Sequence, residues 1–250
     1  MQPEEWFAAA AVPVRAEIGE AHSVWWDRLA GPGTWWTGAE RVAIAAETRA
    51  ARDCRLCKQR REALSPNSVS GEHDLATGSA EVLPTPAIDA VHRIVTDANR
   101  LSSGFVKTLA AEGLDDAHYV ELVGIVVSLV SIDEVVRGVG ASQAELPEPR
   151  PGEPTRKRPV DAAMDGAWVP LLPASRPAGE NADLWKTPQA PYVIRAMSLV
   201  PDAVRDLELL SGAHYLPMDQ LLDFKKGGEL SRPQIELVAG RVSALNECFY

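Results

Sequence analysis

The residues of this chain whose types and spacing suit chemistry are Cys54-Arg55-Leu56-Cys57 and, near the other end, Glu236 with Cys248. A Cys-x-x-Cys on a helix puts both sulfurs on adjacent turns of one face, near enough to close a disulfide, so the pair can give up two electrons and take them back. The nucleophile is the thiolate. Arg52, Arg55, Lys58, Arg60 and Arg61 place positive charge within two turns of the sulfurs, and a cation approaching either thiol would lower its pKa from the usual value of about 8.5. Glu40 and Glu47 lie upstream on the same helix face, Glu47 seven residues before Cys54, from where either reaches the thiols through one water as a proton relay. His92, within AVHRIVTDANR, is a further acid–base candidate, although a hydrogen-bonded core histidine has the same surroundings. His22, His118 and His214 stand in no motif and read as structural. A Cys-x-x-Cys is also half of a zinc site, which His73 and His92 would complete; their spacing fits no compact zinc module, so that reading ranks below thiol chemistry, and no metal or cofactor is expected.

The elements that carry these residues all read as helices. Ala39 to Leu64 holds neither Gly nor Pro and repeats small or apolar residues at helical spacing (Val42, Ala46, Ala50, Leu56), which predicts one continuous helix. Pro66 to Pro86 is a polar loop carrying Glu72-His73-Asp74. Pro86 opens a second helix with Ile88, Val91, Val95 and Leu101 as its stripe. Asp115 or Asp116 caps a third, with Tyr119, Leu122, Ile125, Val126 and Leu129. No window alternates as a strand would, so the fold class is all-α. Positions 1–38, with Trp25-Trp26 and Trp35-Trp36 around Gly31-Pro32-Gly33, form a helical entry segment, and 39–146 form a first domain. Positions 147–191 hold ten of the nineteen prolines and read as a linker between separately packed units, the second being 192–250.

Composition narrows the partners. A net charge of −10 argues against nucleic acid and anionic membrane and favours a small solute, while 46% hydrophobic residues supply real cores. The N-terminus has acids where a signal peptide carries positive charge, which predicts the cytoplasm. The longest apolar run, Leu122 to Ile132, falls short of the roughly 20 residues a membrane span needs. Three cysteines are too few for a disulfide scaffold and suit redox or metal chemistry.

At Cys54 to Cys57, at RVSALNECFY and at GLDDAHYVELVGIVVSLVSIDEVVRGVG the chain resembles the alkylhydroperoxidase D-like proteins of the carboxymuconolactone decarboxylase superfamily. The active helix of that family carries a Glu, then twelve residues on a Cys-x-x-Cys, then a His four after the second Cys. Glu236 and Cys248 match its first part at that separation, while the position of the second redox residue would follow Tyr250. The family includes selenoproteins, so the reading frame is expected to continue through an in-frame UGA. The resemblance covers about Ala39 to Gly140 and, as an incomplete second copy, Tyr192 to Tyr250. It implies an all-helical, oligomeric protein that acts as a thiol-dependent peroxidase or disulfide oxidoreductase, an antioxidant activity with electrons from a thiol or dihydrolipoyl protein. The first copy departs from the pattern, with Arg61 where the family has His and Val42 where it has Glu. That copy is therefore expected to be weakened, inactive, or rewired through Glu40, Glu47, His73 or His92, with Cys54 the peroxidatic thiol if the family's order does not hold and Cys54 and Cys57 otherwise unranked. The rival readings are a non-catalytic domain supporting an active second domain, and a zinc-binding module.

Overall fold

A computed structural model describes residues 1–175, 177, 179–185, 190–217, 220, 223, 225, 230–246 and 248. Parts of the expected linker and second unit, and Glu247, Phe249 and Tyr250 of the second motif, lie outside the described residues. Among the described residues ten α-helices follow in order: α1 (Ala16–Ala30), α2 (Gly38–Ala50), α3 (Arg55–Glu62), α4 (Ser79–Val82), α5 (Thr85–Asp97), α6 (Ser103–Ala111), α7 (Asp116–Gly138), α8 (Tyr192–Arg195), α9 (Pro201–His214) and α10 (Arg232–Leu245). Among the described residues there is no named strand, only an isolated bridge between Ala163 and Leu171. The all-α expectation holds.

Local signals start the helices where the sequence places them. Thr37 and Glu40 form a reciprocal capping box at the head of α2, the Thr37 side chain accepting from the Glu40 N–H and the Glu40 carboxylate accepting from the Thr37 N–H. Of the two aspartates offered for α7, Asp115 is the cap; its Oδ1 accepts from the N–H groups of Ala117 and His118. Pro86 sits in the first turn of α5, where its missing N–H leaves no helical bond unmade.

Helix α7 is the axis of the core. Leu122, Ile125, Val126, Leu129, Ile132 and Val136 are buried along it, with α2, α5 and α9 packed around it. Two ion pairs fix the α2–α7 seam: buried Arg41 donates to Glu121 at 2.5 Å, and two turns on Arg49 holds Asp133 with two bonds of 2.8 and 3.0 Å. Where α9 crosses α7, the absence of a side chain at Gly124 permits the approach, since a Cβ there would lie 2.8 Å from that of Ala203. Trp6, Trp25, Trp26 and Trp36 belong to the same core. Although α7 is long, no described helix is long and apolar enough to cross a membrane.

Two expectations give way. The helix expected over 39–64 is broken: α2 ends at Ala50, and Cys54 stands outside helical conformation as the N-cap of α3. The cause is tertiary, because the Asp74 carboxylate, from the loop 19 residues on, accepts the Arg55 N–H at 2.8 Å and so satisfies a donor that the break exposes. The Pro-rich segment 147–191 does not separate two cores. Val169, Leu172, Leu184 and Trp185 join one hydrophobic cluster with residues of α1, α7 and α9, and the N–H groups of Arg150, Thr155 and Arg156 bond the carbonyls of Ala30, Gly33 and Thr34. Proline prevents helix but not burial, and here the segment lies along the entry region as a strap. By contrast α10 leaves Leu237, Val238, Val242 and Leu245 exposed.

One buried contact makes stability pH-dependent. Nε2 of His22 on α1 lies 2.7 Å from Nε2 of His214 on α9, whose Nδ1 meets Ser131 Oγ on α7 at 2.8 Å. Burial, then the facing His214, holds His22 down to about 3, and burial, then Arg15, holds His214 at about 4. The unfolded chain protonates both near 6.5, so it binds protons first as pH falls and the folded state loses ground. The denaturation midpoint is expected to be flat above about pH 7 and to fall steadily from there to about pH 5, before most carboxylates titrate. A midpoint unchanged across that range would contradict a neutral buried pair.

Candidate thiol–imidazole site

Cys54, Cys57, His73 and His92 converge. The N-cap position of Cys54 and the first-turn position of Cys57 direct both sulfurs to one side of α3, where Leu56 and Val69 pack beside them. His73 comes from the loop between α3 and α4, and its Nδ1 lies 3.6 Å from each sulfur. His92 comes from α5, with Nδ1 at 3.2 Å from Cys57 Sγ. One atom from each of the four residues lies within 4.8 Å of all the others.

Behind each imidazole stands a carboxylate. His92 Nε2 meets Glu47 Oε2 at 2.8 Å, and the other oxygen of Glu47 accepts the Ala76 N–H at 2.9 Å. His73 Nε2 meets Asp89 Oδ1 at 3.0 Å, and Arg60 donates to the same oxygen at 2.6 Å. Burial would raise the Glu47 carboxyl, but the bonds from His92 and the Ala76 N–H more than offset it and bring it below its usual range. Asp89 is held at about 2, burial being outweighed by His73 and Arg60. Both carboxylates are therefore ionised and accept the Nε2–H of their histidine. That leaves each Nδ1 facing the sulfurs, placed to share a proton with a thiol.

The two thiols differ in consequence. Burial pushes Cys57 up to about 12, reinforced by the adjacent Cys54 sulfur. For Cys54 burial acts in the same direction, but N–H groups of Cys57 and Asp74 and the imidazole of His73 point at its sulfur and lower its pKa overall. Cys54 is the sulfur disposed to be thiolate; Cys57 keeps its proton and donates it toward His92 Nδ1.

Of the residues expected to do chemistry, Glu47, Cys54, Cys57 and His92 are brought together. Glu40 is not: its carboxylate is used in the capping box at the opposite end of α2 from the cysteines. Four of the five cations expected to activate the thiols are matched to acids, Arg52 with Glu134, Arg55 with Asp74, Lys58 with Asp53 and Arg60 with Asp89. At Cys54, backbone N–H groups and imidazole do the lowering. Glu236 bonds Tyr215 Oη and Arg232, and Cys248 is exposed; neither joins the cluster. Asp89 was not singled out from sequence, although its place three residues before His92 puts the two on one helix face. Asp74 shows no sequence signal for its role, which is set by the turn of the loop.

No family model matches the chain, and comparisons with curated proteins and with solved structures find no significant match. What the site does is therefore argued from its chemistry.

Proposed function

We propose that the Cys54–Cys57 centre is a thiol-dependent peroxidase site in an alkylhydroperoxidase D-like protein, with Glu236 and Cys248 the start of a second copy. The observation that carries this reading is the continuous line Cys57 Sγ, His92, Glu47, with steps of 3.2 and 2.8 Å, next to a sulfur of lowered pKa. It supplies nucleophile, base and orienting carboxylate, the three parts that activated-thiol chemistry needs. His92 stands in for the histidine that the family carries at the position of Arg61 here.

The Cys54 thiolate attacks the distal peroxide oxygen, the O–O bond breaks, and the alkoxide leaves to take a proton, giving Cys54 sulfenic acid. Cys57 passes its proton to His92 Nδ1, and the imidazolium is stabilised by Glu47. The Cys57 thiolate then attacks Cys54 Sγ; the S–S bond forms and hydroxide leaves as water with the proton from His92. The two electrons lost by the dithiol are those gained by the peroxide. Both sulfurs are fully buried, which favours a small peroxide over a folded disulfide substrate. The same burial suits regeneration by a thin dihydrolipoyl arm better than by a rigid thiol active site. In this reading the protein works in the cytoplasm as a homo-oligomer.

The test is mass spectrometry of metal-free protein treated with stoichiometric hydrogen peroxide. Loss of two hydrogens is expected, on a peptide linking Cys54 to Cys57 and abolished by Cys54→Ser or Cys57→Ser, with Cys248→Ser without effect on that link. Two thiols that stay reduced and alkylate only after denaturation would overturn the reading.

A further inference from the structure

We infer that, with both thiols reduced, Cys54 Sγ, Cys57 Sγ, His73 Nδ1 and His92 Nδ1 form a four-ligand site for a divalent cation of the zinc class, and that closing the disulfide expels it. The binding half stands on the cluster's own geometry; the expulsion half rests on the peroxidase reading.

A tetrahedral zinc, with bonds of about 2.3 Å to sulfur and about 2.0–2.1 Å to imidazole nitrogen, sets sulfur–nitrogen edges of about 3.6 Å. The sulfur–nitrogen contacts are 3.6, 3.6 and 3.2 Å, and every donor pair lies within 4.8 Å. Three sulfur–nitrogen edges thus lie at or near the length that a shared cation would set. Proton bookkeeping leads to the same place. Asp89 and Glu47 hold the Nε2 side of their histidines, so both Nδ1 atoms point inward. Two imidazole nitrogens and two sulfurs then face one another with only protons to share, whereas one cation would satisfy all four. An imidazole fixed by a carboxylate on its far nitrogen is the usual arrangement around a metal-ligating histidine.

Donor chemistry selects the ion. Two thiolates and two imidazoles suit zinc and disfavour magnesium or calcium, which take oxygen ligands. Two thiolates also neutralise a charge of +2, which matters in a pocket where Cys54, Cys57 and His92 are buried. With all four positions taken by protein atoms the site is closed, of the kind that braces a fold. Here it would tie the loop bearing His73 to α3 and α5. A peroxide that draws two electrons from the paired thiolates makes the S–S bond, leaves as alkoxide and hydroxide, and removes two of the four ligands at once, releasing the cation.

The experiment adds Zn²⁺, or Co²⁺ as a spectroscopic probe, to reduced, chelator-treated full chain. One equivalent of tightly held metal is expected, with a sulfur-to-cobalt charge-transfer band and tetrahedral d–d bands. His73→Ala and Cys54→Ser should abolish both signals. Asp89→Asn, which keeps all four ligands, should weaken zinc affinity by about 10–100-fold. Peroxide should release the bound zinc in step with the Cys54–Cys57 disulfide. Absence of stoichiometric metal and of the charge-transfer band in the parent chain would overturn the inference, even if the metal-free dithiol still oxidises. Tight metal with a dithiol that never closes would retain the site and sink the expulsion half together with the peroxidase reading.

Discussion

Glu47→Gln in metal-free protein is expected to slow disulfide closure between Cys54 and Cys57 by about 10²-fold, the lower end of what a positioned acid–base group contributes. Gln keeps the volume of the buried side chain and an oxygen to accept from His92 Nε2 or the Ala76 N–H, so the fold should persist. What it removes is the negative charge that steadies His92 once Nδ1 has taken the proton of Cys57. That proton matters because burial raises the Cys57 thiol to about 12, and near neutral pH it does not ionise unaided. Stopped-flow oxidation with hydrogen peroxide separates two steps. Sulfenic acid formation at Cys54 should change little, since its sulfur is served by N–H groups and His73, whereas the closing step should become rate-limiting. Raising the pH should restore part of the lost rate by ionising Cys57 directly. Closure within threefold of the parent rate would mean that the Cys57–His92–Glu47 line carries no proton.

Removing the guanidinium of Arg41 should cost the fold about 3–5 kcal/mol, the usual penalty for stranding one member of a buried ion pair. Arg41 and Glu121 are both buried, and Glu121 also accepts the Trp35 N–H at 2.6 Å, so α2, α7 and the entry segment meet at this pair. In Arg41→Ala the Glu121 carboxylate would keep the Trp35 N–H and lose its counter-charge. Burial already holds the Glu121 carboxyl above its usual range despite Arg41, and without the arginine it should rise further. The deficit should therefore shrink as pH falls and Glu121 takes up a proton. Arg41→Met with Glu121→Met, which leaves no charge behind, should recover most of the loss. Urea titrations of the single and double variants at two pH values decide the matter; a single-variant cost below about 1 kcal/mol would show that water reaches the pair.

Sequence by itself determined the elements whose signals are local. Helical spacing, with caps for α2 and α7 and a first-turn proline for α5, fixed the starts of these helices, because such signals need only residues a few positions apart. It also singled out Cys54 and Cys57, whose distance is set by the chain, and it offered Glu47 and His92 as separate candidates. Tertiary structure alone decided the rest. The break before Cys54 depends on Asp74 reaching the Arg55 N–H from 19 residues away, and no helix propensity in an Ala- and Arg-rich segment registers that bond. The choice of Glu47 over Glu40 follows from which end of α2 faces α5. Proline content described the backbone of 147–191 correctly and its environment wrongly, since burial depends on what packs over a segment. The loop that brings His73 to within 3.6 Å of both sulfurs, and Asp89 behind it, turned a two-cysteine motif into a four-donor site. Neither spacing nor composition encodes where a polar loop lands, because that is fixed by the summed packing of the helices on either side of it.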